Sequence, residues 1–321
     1  MKKYILVLCV LCLQFKLTAA ENDSIRPNFE SQFHFQKLLF DDCDACGCSA
    51  NGGSMGFSSM ASSNFIGLRY FYQSYTSKDG IFNNSPWVDE NFNTVQIWAR
   101  IPITKRLQIS ALLPYHSHNR ERTTGKETIN GLGDATVLAM YSVLPMSKDS
   151  AVFSHKLQLG GGVKLPTGQF DLANNKGSVN PGFQLGTGSW DYLLAAEYVL
   201  MRKKFGLNAM FNYTIKTENE KLYQFGNQIN YGGTLFYLAT IGKIQWVPQL
   251  GIAGELFEAN SQYEQEVPDS AGDIIFTKVG FEAGIKKWSV GLHAMLPINQ
   301  NLSNGKVESN YRLSVNLNYS L

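Results

Sequence analysis

Three cysteines fall within six residues, Cys43, Cys46 and Cys48, in the stretch DDCDACGCSA with Asp41, Asp42 and Asp44 beside them. Thiolates at that spacing can share a soft cation, copper(I) or zinc. The same trio suits redox chemistry or a structural disulfide, because in an exported chain three cysteines leave one odd thiol for a periplasmic partner. Structural zinc sites usually want four ligands, which three cysteines do not complete. A second cluster, His116-Ser117-His118, puts two imidazoles on one face of an extended segment. Solvated histidines at the base of a loop are the default reading, and a metal is geometrically allowed. Ser117 points to the opposite face, so neither histidine can activate it within that strand. No nucleophile elbow or zinc-hydrolase helix motif accompanies it, and the chain is read as a non-enzyme. A third set is scattered: Arg69, Arg100, Asp134, Lys156, Lys164, Glu197, Lys278, Glu282, His293 and Arg312. These charges acquire meaning only through the elements that carry them.

The last eleven residues, YRLSVNLNYSL, alternate apolar and polar side chains without a fault from Tyr311 to Leu321. Strict alternation means an extended strand with one greasy and one wet face. Comparable runs recur from residue 64 onward, about twelve in all, most of them long enough for the 9–11 residues that a tilted strand needs to cross a bilayer. The links between them alternate in length. Long polar links fall at 77–89, 117–131, 167–187, 259–269 and 299–307, and short ones lie between. Outer-membrane barrels sort their connections this way, with tight turns in the periplasm and larger loops outside. A soluble sandwich has no reason to do so. The predicted fold is therefore all-β, a transmembrane antiparallel up-and-down β-barrel of about 12 strands over residues 64–321. Trp288, Val290, Leu292, Ala294 and Leu296 then face lipid, and Tyr115, Tyr141, Tyr213 and Tyr319 suit the interfacial girdles. The ten scattered charges share the opposite, lumen-facing parity, where they would line a pore. A water-filled lumen makes such charges cheap. A mutually paired, sealed interior is the competing arrangement.

Composition agrees. Only 17% of the 321 residues are charged, below the roughly 25% of soluble domains. Met1-Lys2-Lys3, an apolar run of about ten residues and Thr18-Ala19-Ala20 form a secretory signal peptide over 1–20. Its removal takes away Lys2, Lys3 and Lys16 and no acid, turning the formal net charge from +2 to −1. That leaves no basic face for nucleic acid. Residues 21–63 lack alternation and are read as an N-terminal periplasmic extension or a plug that carries the cysteines.

Three stretches, GLGDATVLAMYSVL (131–144), GVKLPTGQFD (162–171) and GTGSWDYLLAAEY (186–198), resemble an outer-membrane transporter family named for the meta-cleavage pathway of phenol degradation. The resemblance covers most of 64–321 and implies a porin-like barrel that moves small compounds, aromatic ones among them. Physically, Gly131 and Gly133 would free the backbone where a long outer loop re-enters a strand, with Asp134 facing the lumen near the outer rim. Pro166-Thr167-Gly168 would end a strand and open the longest outer loop. That loop either folds inward as a constriction or stays solvated. The expectation is an outer-membrane channel for small-molecule solutes, embedded in outer-membrane lipid. The alternative is a structural or metal-handling barrel whose cysteine segment binds copper or a periplasmic partner.

Overall fold

The computed structural model describes residues 64–321 apart from 81, 83, 123, 147–152 and 176–179. The signal peptide, the 21–63 segment and Cys43, Cys46 and Cys48 lie outside the described residues. In chain order the strands are β1 (Phe65–Lys78), β2 (Trp87–Pro102), β3 (Leu107–Arg122), β4 (Gly125–Leu132), β5 (Thr136–Leu144), β6 (Ser154–Lys164), β7 (Asp191–Arg202) and β8 (Phe205–Lys216). There follow β9 (Tyr223–Gln224), β10 (Gln228–Tyr237), β11 (Ala239–Ile241), β12 (Ile244–Phe257), β13 (Ser261–Gln262), β14 (Gln265–Glu266), β15 (Gly272–Ile285), β16 (Trp288–Leu302) and β17 (Val307–Ser320). β4 and β5 are two halves of one stave, and β11 continues β10 along β12. Each stave pairs antiparallel with its neighbour in sequence, and β17 closes on β1 with Phe65 opposite Ser320. The result is a closed barrel of twelve staves. β9, β13 and β14 form a separate small sheet at one end.

Alternation decides which side chain meets which solvent. On β17, Leu313, Val315 and Leu317 are exposed while Ser314, Asn316 and Asn318 are buried; Leu317 is 43% accessible and its neighbour Asn318 is 0%. The greasy residues thus cover the outside and the polar ones fill the inside, the reverse of a soluble protein and the arrangement hydrocarbon demands. Aromatic pairs mark both edges of the belt: Trp288 with Tyr319 (centroids 5.0 Å apart) and Phe205 with Tyr237 (4.7 Å) at one end, Tyr72 with Tyr311 (5.8 Å) at the other. The first end carries the short hairpins. Lys203-Lys204, Gly242-Lys243 and Lys286-Lys287 each place their first residue at positive φ (54°, 64° and 54°), a conformation that tight hairpins favour.

Three of the long links are shorter than the sequence suggested. β3 runs to Arg122 and β4 starts at Gly125; β16 runs to Leu302 and β17 starts at Val307; β1 and β2 likewise continue to Lys78 and from Trp87. Above the lipid both faces of these strands meet polar surroundings, so alternation fades while the hydrogen-bond ladder persists. Gly133 therefore does not mark a loop's return. It sits mid-stave, where its bare surface admits the His116 ring and Pro114; a Cβ there would come within 2.9 Å of Pro114 Cγ.

Candidate functional site

Period-two alternation delivers nine of the ten scattered charges to the inner wall, and Asp134 joins them from the break between β4 and β5; each is buried. Arg69 stacks over Trp98 at 3.4 Å, Arg100 lies 5.3 Å from the Phe65 ring, and Phe65 meets Trp98 edge-on at 4.3 Å. Glu197 accepts from Asn208, and Glu282 from Gln249 at 3.4 Å. His293 lies 3.8 Å from Glu282 and 3.4 Å from Ser314. Lys278 crosses the space left by Gly251, and Lys156 faces inward opposite Val199 on β7. Arg312 holds Glu255 with both arms, Nη1 to Oε1 at 2.6 Å and Nη2 to Oε2 at 3.0 Å. It also donates to the Tyr75 hydroxyl and covers the Phe276 ring at 4.3 Å.

Several of these charges are found with partners on the inner wall, as in the paired arrangement. These groups are stabilised by partners, because removing them from water is costly without one. Nor is the lining uniformly polar. Phe65, Trp98, Leu112, Leu138, Met140 and Leu193 form one inward apolar cluster, and Phe71, Tyr75, Phe92, Phe276 and Met295 belong to a second.

The three motif stretches converge on one knot. Lys164, the last residue of β6, sits 3.1 Å from Asp134, 2.5 Å from Asp191 and 2.8 Å from Thr187 Oγ1. Asp134 in turn accepts from the Thr187 N–H and hydroxyl (2.8 and 3.0 Å) and from the Gly168 N–H (2.9 Å). Thr167 bridges the break between β4 and β5, donating to the Gly133 carbonyl and accepting from the Ala135 N–H, both at 2.8 Å. Gly168 and Gly186 pack backbone to backbone; a Cβ on Gly186 would lie 2.7 Å from Gly168. This knot ties down both ends of the 165–190 connection, whose described residues turn into the barrel. Phe183 reaches Phe92 across the lumen (6.1 Å) and lies beneath Arg120 at 4.2 Å, and Asn180 donates to Glu90. Of the two readings left open for this loop, the inward one is found.

Above the loop the extracellular connections form a second layer. Phe170, Tyr223 and Phe225 make a ring trio with centroids 5.0–5.7 Å apart. Asn260 donates to the Tyr223 hydroxyl at 2.8 Å, and burial pushes that phenol up to about 12. Between this layer and the β1 and β16–β17 wall lies a recess with about 70 Å³ of internal space. It is bordered by Tyr75, Asn180, Lys216, Phe225, Phe257 and Arg312.

The histidines are not solvated. His116 and His118 are both buried inside the barrel, ring centroids 4.8 Å apart, with His116 Nδ1 2.9 Å from Thr94 Oγ1. The outward extension of β3 as ladder rather than loop is what encloses them. Among the described residues no group of three or more His, Cys, Asp or Glu side chains could hold a metal. Several interior residues escaped the sequence reading: Glu255, Asp191, Glu90, Arg120, Tyr75 and Phe183. Strand parity could have found Glu255, since Val247, Gln249, Gly251 and Ala253 lead to it on the inner face. Phe183 lies in an irregular segment that has no such signal.

A closed twelve-stave barrel with a lipid-facing apolar belt, a filled interior and a loop turned into the lumen defines a transmembrane β-barrel of the bacterial outer membrane. Within that class the chain belongs to the family described as the putative MetA-pathway of phenol degradation, whose model matches residues 83–259. The barrel is similar to that of the COG4313 outer membrane channel from Pseudomonas putida F1, with 15% identity over 80% of this chain and 94% of that one and a TM-score of 0.61. The β domain of the Bordetella autotransporter BrkA is more distant, at 9% identity over 80% and 99% of the two chains and a TM-score of 0.48. At these identities the likeness is one of fold. No curated protein matches the sequence.

Proposed function

We propose that the protein is an outer-membrane channel for small solutes of hydrophobic character, aromatic ones included, and that the inserted loop holds it closed until displaced. The observation that carries this reading is the partly open recess, with about 70 Å³ of internal space, that the loop residues Asn180, Pro181 and Gly182 help to border. Its border mixes apolar walls (Phe225, Phe257, Leu302, Val307) with a few polar groups that would orient a substituent. Below it, the inner apolar clusters offer successive resting places for a greasy solute. Arg69, Arg100, Lys156, Glu197, Lys278, Glu282, His293 and Arg312 are the lining residues that would bias which substituents pass, while Asp134 and Lys164 hold the loop. The family's description and the channel role of the Pseudomonas relative support the same reading. Export through a cleaved peptide ending at Ala20 belongs to it.

The test is solute flux. Full-length protein in liposomes and planar bilayers is compared with Asp134→Ala, which removes the acceptor that both loop ends share. Low current in the wild type and larger, fluctuating current in the variant are expected, with faster uptake of phenol-like solutes than of sugars of equal size. A loop-released variant that passes neither ions nor solutes above protein-free membranes would overturn the assignment.

A further inference from the structure

Among the described residues the two rims of the barrel carry opposite net charge. At the end with the short hairpins, the β2–β3 turn holds Lys105 and Arg106, and the β7–β8 turn holds Arg202, Lys203 and Lys204. The β11–β12 turn holds Lys243, and the β15–β16 turn holds Lys286 and Lys287. All eight side chains are exposed, and none of these four turns contains an aspartate or glutamate. The opposite rim is dominated by carboxylates, among them Glu121, Glu218, Glu220, Glu264, Glu266 and Asp269. The four basic turns are spread around the barrel rather than gathered at one point, since the strands that they join are distributed around the closed sheet.

Depth matters as much as sign. The cations are adjacent in sequence to the aromatic girdle. Lys204 precedes Phe205, which packs on Tyr237, and Lys287 precedes Trp288, which packs on Tyr319. Lys287 Nζ stands 5.4 Å from the Tyr319 ring, and the Arg202 guanidinium 5.3 Å from the Phe153 ring. Girdle aromatics mark the level of the lipid headgroups. Cations one residue beyond them, on long stems that can reach sideways, sit where phosphodiesters lie.

We infer that this basic rim binds anionic phospholipid headgroups of the periplasmic leaflet, forming a ring of phosphate contacts that fixes the barrel's depth. The partner is a lipid rather than a soluble acidic protein because the cations surround the wall at headgroup level instead of forming one patch. A cation near a charged lipid surface contributes about 1 kcal/mol, roughly a fivefold preference for one anionic lipid over a zwitterionic one at a site that it faces.

The test uses full-length protein in nanodiscs of phosphatidylcholine with one-fifth phosphatidylglycerol, and counts lipids retained on ejection into a mass spectrometer. Wild type should retain phosphatidylglycerol several-fold above its share of the bilayer. The variant Lys203→Gln, Lys204→Gln, Lys286→Gln, Lys287→Gln should fall towards that share, with a heat-modifiable gel shift verifying that it remains a folded barrel. Lys221→Gln with Lys306→Gln, at the other rim, should retain what the wild type does. Retention at bulk share in the wild type, or enrichment that survives the rim substitutions, would overturn the inference. So would enrichment lost equally from both variants. Salt-sensitive capture of added acidic peptide, with no lipid enrichment, would assign the rim to a peptide instead.

Discussion

Replacing Lys164 by methionine keeps an unbranched stem of four atoms and deletes the ammonium, so the substitution isolates the charge at the centre of the loop knot. The wild-type Nζ lies 2.5 Å from Asp191 and 3.1 Å from Asp134, with side-chain accessibilities of 1% for the lysine and 0% and 2% for the acids. Removing one partner from a buried ion pair costs about 3–5 kcal/mol, because the other charge stays behind unneutralised. Here two carboxylates stay behind, although Asp134 retains the N–H groups of Gly168 and Thr187. A loss of about 3–5 kcal/mol, divided by a urea dependence of about 3 kcal/mol per molar, lowers the unfolding midpoint by about 1–2 M. The assay is equilibrium unfolding of the barrel in lipid vesicles, followed by tryptophan fluorescence, with hydrogen exchange over 165–190 run alongside. Adding Asp134→Asn to Lys164→Met should recover part of the loss, since one buried charge is then gone. A midpoint within about 0.3 M of wild type, with loop protection intact, would refute the account of the knot.

Three further outcomes follow from the geometry. Arg312→Lys keeps the charge but loses the two-armed grip on Glu255 and the bond to Tyr75; unfolding in urea should show a loss of about 1.5–3 kcal/mol. Val315→Arg puts a cation on the lipid face and should cost about 2–4 kcal/mol in the same assay, whereas Ser314→Ala, one residue away on the inner face, should change it by less than about 1 kcal/mol. Asp269, outside the membrane, accepts from Lys306 at 2.6 Å and Asn304 at 3.2 Å, and these bonds hold its carboxyl below the usual range. Its tie to the β16–β17 hairpin is thus fully present above the ordinary aspartate value of about 4 and is lost as pH falls through the lowered one. Amide exchange over 265–271, corrected for intrinsic rate, should stay constant down to about pH 4 and rise only below it.

The barrel itself could be read from the sequence because lipid enforces one solution: apolar residues at every second position, repeated long enough to cross, with links sorted by side. Val290, Leu292 and Leu296 are placed by parity alone, and so are inward charges such as Lys278 and Glu282. What parity could not supply is the distance between side chains on different strands. Arg312 and Glu255 are 57 positions apart, and only the barrel's curvature brings them together. Nor could it foresee how closely the interior side chains pack. That depends on large residues such as Trp98, Phe236 and His293 leaning over glycines on neighbouring strands, Gly67, Gly206 and Gly280 respectively. Such pairings are invisible until register is known.

The knot also explains why the family motifs are silent about cargo. Gly133, Asp134, Lys164, Thr167, Gly168, Gly186, Thr187 and Asp191 hold one another and the loop, and none of them borders the outer recess. The recess takes its apolar surface from Phe225, Phe257, Leu302 and Val307, contributed by other strands and connections. Solute preference and loop anchoring are therefore carried by separate residues and should be separable by mutation. Phe225→Ala with Phe257→Ala removes two aromatic walls while leaving every bond of the knot in place. The ratio of aromatic to aliphatic solute flux through the loop-released Asp134→Ala channel should fall several-fold when the two alanines are added, whereas in an otherwise wild-type chain exchange protection over 183–187 should be unchanged by them. Unaltered selectivity, or a loop loosened by the two alanines alone, would show that the recess and the knot act as one unit and that this division is wrong.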